Sequence, residues 1–386
     1  MLKFLKRLYK SIALLPVVIA LSFILLAIAL SWIPVDYESY AVTRFLVVKD
    51  ATDAQNIFSF LIGGIFTLTI FSYTMVMNVL NRNINNYSPR LIPLILAERH
   101  HQLILGFTSG TIIFAMVMSL NLNNVKDDYF PDIAAGLGII FAIFCVLLFI
   151  YFIHSVSQSI HINYILKEVY VKALEDLKKD QFPSKCFSNN DHPALDHAIT
   201  NPGSCGYLHH FDYQALSKDL NAIGCDIYIC RPVGSFIQED ELIFQSSKEL
   251  SDDQVDKIFS HFVIDHTVCS NVFEVSIKHL VEVAVKGCSP AINDPGTSLG
   301  ALDYITQLLQ KRFNQNLHNC YQLDKNNHIY FDRITNEELY TYTYKELYHY
   351  LKNDPILREA VEVSRRKLLN NTTNQDYLTR KLIDLE

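Results

Sequence analysis

Charge is what this chain does without over long distances. No Asp, Glu, Lys or Arg occurs between Lys10 and Asp36, from Ala54 to Asn81, from Gln102 to Val125, or from Ile133 to Leu166. A helix crossing hydrocarbon needs about 20 mostly apolar residues, so each run is long enough to span a bilayer. Within these runs the ionisable residues approaching the membrane interior are the flanking His154 and His161, which argues against a proton-coupled pump or carrier, since those need a buried charge. A basic excess is missing too. The net charge of -7 gives no reason to expect nucleic acid as a partner. The eight cysteines are scattered and contain no CxxC pair, so neither a zinc site nor a disulfide framework is signalled. Reduced thiols in a cytosolic domain are the simplest account. No HExxH, phosphate-binding Gly-rich loop, G-x-S-x-G elbow or paired-acid motif is present. Nothing therefore points to catalysis, a metal or a cofactor, and the chain reads as a non-enzyme.

What is present is apolar. Half of the 386 residues are hydrophobic, enough for two domains with one of them in lipid. The expected fold class is a four-span α-helical membrane domain followed by a cytoplasmic α+β domain. The spans fall at residues 12–33, 57–80, 103–120 and 133–153 within a transmembrane domain over 1–166, and the third is the shortest. A helical extension and linker follow over 167–204, then the α+β domain over 205–310 and a mostly helical tail over 311–386. Ala27-Ile28-Ala29 resembles a signal-peptide cleavage site, but the apolar run exceeds an h-region of about 7 to 15 residues and Trp32 suits an interfacial anchor.

Orientation follows from Lys and Arg beside the spans, because these charges resist translocation. Lys3, Lys6, Arg7 and Lys10 precede the first span, Arg82, Arg90 and Arg99 lie between the second and third, and Lys167, Lys172, Lys178 and Lys179 follow the fourth. The opposite side carries only Arg44, Lys49 and Lys126. Both termini and the C-terminal half are therefore expected on the cytoplasmic side of a bacterial inner membrane.

Small residues recur at four-residue intervals in the spans, the spacing that lets helices approach closely in lipid. Gly63, Thr67, Thr74 and Asn78 share a face of the second span, Gly106 and Gly110 one of the third, and Ala134, Gly138 and Ala142 one of the fourth. These stripes pack a four-helix bundle within one subunit, or one of them faces a pore between subunits. The polar stripe makes Thr67, Thr74 and Asn78 the pore-lining candidates, with a homo-oligomer and small ions as the implied partners beside the lipid bilayer. The competing reading is a non-catalytic membrane-anchored sensor or scaffold.

In the C-terminal half, residues 160–179 read as a helix carrying the last span into the cytoplasm, and 181–204, with three Pro, as irregular. Gly206 to Phe211 and Cys225 to Arg231 read as strands flanking a helix from Tyr213 to Ala222. Pro232-Val233-Gly234 supplies a turn before Phe236-Ile237 and Leu242-Ile243-Phe244. The Gly234-x-Phe236-Ile237 to Leu242 spacing is similar to the hairpin of barrel-sandwich modules, but with no lysine at the turn to carry a prosthetic group. A second helix, Val272 to Lys286, places Glu274, Lys278, Glu282 and Lys286 in one charged line. Gly287 suits a left-handed helix end. In the tail, Arg358, Arg365, Arg366 and Lys367 form a basic patch, expected to be solvated.

The most distinctive segment is Cys288-Ser289-Pro290-Ala291-Ile292-Asn293-Asp294-Pro295. Asp294 fits a helix N-cap and Pro295 position N1, where the missing N–H costs nothing. Asn293 and Asp294 thus read as a rigid corner between helices, with an ion, ligand or subunit contact as the functional alternative. A second notable loop reads Tyr87-Ser88-Pro89-Arg90-Leu91-Ile92-Pro93, with Pro89 pushing Ser88 out of helical geometry and Arg90 placed at the membrane surface. With Ser289-Pro290-Ala291-Ile292-Asn293-Asp294-Pro295 and Ser88-Pro89-Arg90, the chain resembles the uncharacterised bacterial DUF2254 family of predicted membrane proteins over roughly residues 85–310. That resemblance implies a membrane location and no particular activity. Members typically carry Arg-Thr and Gln-Asp pairs where this chain has Thr267-Val268 and Asn271-Val272, so no role needing that Arg or Asp carries over.

Overall fold

The computed structural model describes residues 14–32, 48, 50–86, 99–124, 132–159, 161–179, 186–187, 195–203, 205–269, 272–315, 317–323 and 327–371. The chain divides into two compact units, residues 1–161 and 162–386.

The uncharged runs become four helices in the first unit: α1 (Leu14–Trp32), α2 (Ala51–Asn86), α3 (Arg99–Asn124) and α4 (Asp132–Ser159). Each contains a stretch long and apolar enough to cross a membrane, from Leu14–Ser31 to Ile133–Ser157. The helices outrun the apolar runs because a helix needs no apolar side chains once its ends reach water. Packing makes α3 central, in contact with α1, α2 and α4. Phe23, Phe58, Phe114 and Met118 belong to one buried apolar cluster of the interior. The third span, the shortest by sequence, is the most enclosed: half (50%) of its apolar stretch is buried, against 6% for α2.

The second unit begins with α5 (Ile162–Lys179), whose apolar face of Ile165, Leu166, Val169, Ala173 and Leu177 is buried. α5 packs on α8 (Phe273–Gly287) and α9 (Pro295–Phe313). This helix is therefore a core element of the second unit. Two sheets follow. The larger has six strands in the order β1 (Cys186–Phe187), β8 (Cys320–Gln322), β9 (His328–Phe331), β4 (Ile227–Ile229), β6 (Leu242–Ser246), β2 (His197–Thr200). Its pairs are antiparallel except β4 with β9, which run parallel with Ile227 opposite Ile329. The smaller is antiparallel, with β3 (Gly206–Phe211) between β5 (Phe236–Ile237) and β7 (Phe262–Asp265).

β5 and β6 lie in different sheets, so the hairpin suggested by the Gly234-to-Leu242 spacing does not form. Asp240, at φ 57, turns the chain from one sheet to the other. Strands β8 and β9, within the stretch read as a mostly helical tail, bring β9 to the middle of the larger sheet. Leu208, Leu216, Ile227, Ile243, Phe244 and Ile329 fill the core of the sheets with α6 (Tyr213–Ile223) and α7 (Asp252–Phe259). α6 begins at Asp212, whose carboxylate accepts from Gln214 and Ala215 N–H groups, and ends at Gly224 in the left-handed conformation. The last helices, α10 (Asn336–Leu351) and α11 (Pro355–Asn371), pack on α8 and α9. A buried hydroxyl cluster links three of them: Ser364 Oγ meets Thr306 Oγ1 at 2.6 Å and the Tyr344 hydroxyl.

Candidate functional site

The signature segment lies between α8 and α9, and its geometry comes from close backbone approach. Asp294 N–H donates to the Gly287 carbonyl (2.8 Å), and Ser298 Oγ donates to the Ala284 carbonyl (2.7 Å). A Cβ at Gly287 would stand 2.6 Å from Ser298 Oγ and 3.0 Å from the Asp294 carbonyl oxygen. Gly287 is thus required by proximity. It is the last residue of α8 and its φ is not positive; Asn293, at φ 49, takes the left-handed conformation instead. The expectation that Gly287 closes the helix by a left-handed turn is corrected on that ground. Asn tolerates that region better than most residues with a Cβ.

Asp294 caps α9 as its sequence position suggested. Oδ1 accepts from Thr297 N–H (3.2 Å) and Oδ2 from Thr297 Oγ1 (2.6 Å), with Pro295 starting the helix. Ser289 Oγ donates to the Lys286 carbonyl (2.6 Å), and its own carbonyl accepts from Asn293 N–H (2.8 Å). Pro290, Asn293, Asp294 and Pro295 are all exposed. The corner is therefore both internally braced and open to solvent on its outer side. Ser88, Pro89 and Arg90 lie outside the described residues.

The charged line on α8 does not face solvent throughout. Glu274 is buried and accepts from Arg312 Nη2 (3.1 Å), and Arg312, fully buried, also donates to the Ile334 carbonyl (3.3 Å). Lys278 sits 5.3 Å from the centre of the Tyr342 ring. Nothing local in the sequence signals the Glu274–Arg312 pair, because Arg312 at the end of α9 has the composition expected of a solvated helix terminus. Similarly, Arg365, expected in a solvated patch, is buried, paired with Glu362 (2.8 Å) and donating to the Tyr340 hydroxyl (3.3 Å). Arg358, Arg366 and Lys367 are exposed.

His209 and His261 each have a hydrogen-bond partner. His209 Nε2 lies 2.8 Å from the Thr267 carbonyl, and His261 Nε2 2.7 Å from Asp219 Oδ2. Asp219 also meets Lys257 Nζ at 2.7 Å. The hydrogen bonds from Lys257 and His261 hold its carboxyl below the usual carboxylate range against the opposing effect of burial. Among the described residues, no group of three or more His, Cys, Asp or Glu is arranged to hold a metal ion.

In the membrane unit the small-residue stripes have different fates. A Cβ on Gly106 would meet Ile19 Cδ1 at 2.8 Å and Pro16 Cα at 3.0 Å, and one on Gly110 would meet Phe23 at 2.7 Å. A Cβ on Gly138 would meet Leu61 at 3.0 Å. These glycines let helices of the membrane unit approach. At Gly63 and Gly64, by contrast, a Cβ meets no described atom within 4 Å. On α2 the buried residues Ala54, Phe58 and Ile65 mark the inward face. At 3.6 residues per turn, Gly63, Thr67, Thr74 and Asn78 point to the opposite side, and all four are exposed. The large apolar residues Phe60, Ile70 and Phe71 flank them. Thr67 Oγ1 donates to the Gly63 carbonyl (2.8 Å) and Thr74 Oγ1 to the Ile70 carbonyl (3.0 Å).

Four apolar helices joined to a unit of helices and mixed sheets define a multi-pass membrane protein. The chain belongs to the DUF2254 family, described as predicted membrane proteins, whose pattern matches residues 9–363. No curated protein and no solved structure matches it.

Proposed function

We propose that the protein is a homo-oligomeric ion channel or pore of the bacterial inner membrane, with its C-terminal unit acting as a cytoplasmic regulatory domain and without catalytic activity. The observation that carries this reading is α2. It buries little of its length in its own subunit and directs Gly63, Thr67, Thr74 and Asn78 away from the interior. A span with an open small-residue face is suited to a second copy, and an amide such as that of Asn78 needs a partner in protein or water. The cytoplasmic placement rests on the Lys and Arg asymmetry. A reporter fused after Glu386 that is active only outside the cell would overturn it. The non-catalytic reading is supported by Asp294, whose two oxygens are engaged in a helix cap.

Purified protein in planar bilayers tests the proposal. Wild type should carry small-ion currents, and Asn78→Leu should change them without changing oligomer size. A monomeric protein that carries no current under voltage, tension or pH change would contradict it. Two observations favour the second reading, a membrane-anchored sensor or scaffold. The Thr67 and Thr74 hydroxyls already satisfy their hydrogen bonds within α2, so they tolerate lipid. The signature corner presents an exposed outer side that a partner can reach.

A further inference from the structure

The second unit contains a cavity of about 230 Å³ between α5, β3, the turn at Pro232, the start of α8 and the segment after β9. Phe211, Tyr213, Phe273 and Phe331 contribute aromatic walls. The acids at the cavity are Asp176, Glu274 and Asp332, and the basic residues His209, His210 and Arg333 line it with them. Two of those acids are engaged. Glu274 is paired with Arg312, and Asp332 Oδ1 accepts from Arg333 N–H (3.0 Å).

Asp176 differs. It is 5% exposed, and its Oδ1 lies 3.5 Å from Lys179 Nζ, the end of a side chain that is 71% exposed. Its Oδ2 is buried and has no hydrogen-bond partner. Buried carboxylate oxygens without partners are uncommon because losing water is costly unless a donor replaces it. Asp176 is in the last turn of α5, too far along to serve as an N-cap, and shares the helix face of the buried Ile165, Val169 and Ala173. An apolar residue would pack there at less cost. Burial pushes its carboxyl up from the usual range, while Lys179 and Lys172 oppose that shift.

We infer that this cavity binds a small organic cation, an ammonium group on a flat apolar body, with an ammonium N–H donated to the Asp176 carboxylate. The aromatic walls suit the apolar body, and their faces attract the positive charge. An anion would be repelled by the Asp176 carboxylate at the cavity wall. A metal ion is disfavoured because it requires several converging donors, and among the described residues no such group is found here. Cation binding at this cavity is independent of the pore reading.

The test uses the full-length protein in detergent micelles, with phenethylammonium as probe, 2-phenylethanol as its neutral analogue and 3-phenylpropanoate as the anion, by calorimetric titration. Phenethylammonium should bind saturably, the alcohol about tenfold or more weakly, and the carboxylate not at all. Asp176→Asn keeps the side-chain shape and should melt no lower than wild type. It should lose about tenfold or more of the ammonium affinity while keeping that for the alcohol. Val233→Trp, at the turn that lines the cavity, should fill it and abolish both. Equal binding of ammonium and alcohol, unchanged ammonium binding by Asp176→Asn or Val233→Trp, or no saturable ammonium binding at millimolar concentration would each overturn the inference.

Discussion

At the residue scale, the chemistry of the signature segment is mostly that of a tight junction. The carbonyl of Gly287, the carboxylate of Asp294 and the hydroxyl of Ser298 each close a bond between α8 and α9 or within the turn. Gly287→Ala must displace backbone at the Asp294 carbonyl, so it should destabilise the protein by about 1 to 3 kcal/mol in chemical unfolding. Unchanged stability would show that the corner can spread without cost. Asp219 gives a pH-dependent test. Its carboxyl is held low by Lys257 and His261, so it contributes stability above its unfolded value of about 3.9, which is lost as pH falls through the lower folded value. Lys257 is 64% exposed, so solvent screening limits the contribution to about 1 kcal/mol or less. Wild type should exceed Asp219→Asn in stability at neutral pH, and the gap should close in acid. A gap of equal size at both ends would contradict the ion-pair account. Asp294 as a cap was legible because capping is local in sequence. The Glu274–Arg312 pair was not, since 38 residues separate its members. Asp176 was partly legible: it interrupts the apolar face that runs through Ile165, Val169 and Ala173, a period that sequence alone displays.

At the element scale, the four spans could be read because about 20 apolar residues without a charge are rarely found outside lipid. What sequence could not rank is how each helix packs. Glycines of the third and second spans look alike as letters, yet Gly106 and Gly110 press against α1, and Gly63 and Gly64 have no described atom near the position of a Cβ. The difference depends on which helix lies opposite, and neighbours are set by tertiary packing. It gives a paired prediction. Gly106→Leu should destabilise the membrane unit by about 1 to 3 kcal/mol through overpacking, read as a lower melting temperature. Gly63→Leu should leave melting of the subunit unchanged but weaken association between copies, read as a shift to smaller species by light scattering. If Gly63→Leu leaves oligomer size unchanged, α2 is not a subunit contact. The strands show the opposite limit of sequence reading. β5 is legible as an extended segment, but its partner is β3, because the turn through Asp240 carries the following strand into the other sheet.

At the scale of the whole molecule, a membrane unit and an α+β unit each have their own core. The family match over residues 9–363 covers both. The cavity around Asp176 and the open face of α2 lie in different units, so ligand binding and conduction can be measured separately. The central claim is that Thr67, Thr74 and Asn78 on the open face of α2 meet water. The direct measurement is the reactivity of single cysteine substitutions with a cationic, water-soluble methanethiosulfonate reagent in native membranes, read by peptide mass. The native thiol within the described spans, Cys145, is 1% exposed and should remain inert. If the account is correct, Thr67→Cys and Thr74→Cys react readily, and Phe66→Cys, also exposed but on a neighbouring face of the same helix, stays unmodified in lipid. Resistance of Thr67→Cys and Thr74→Cys, or equal reactivity at all three positions, would contradict a water-filled path along α2.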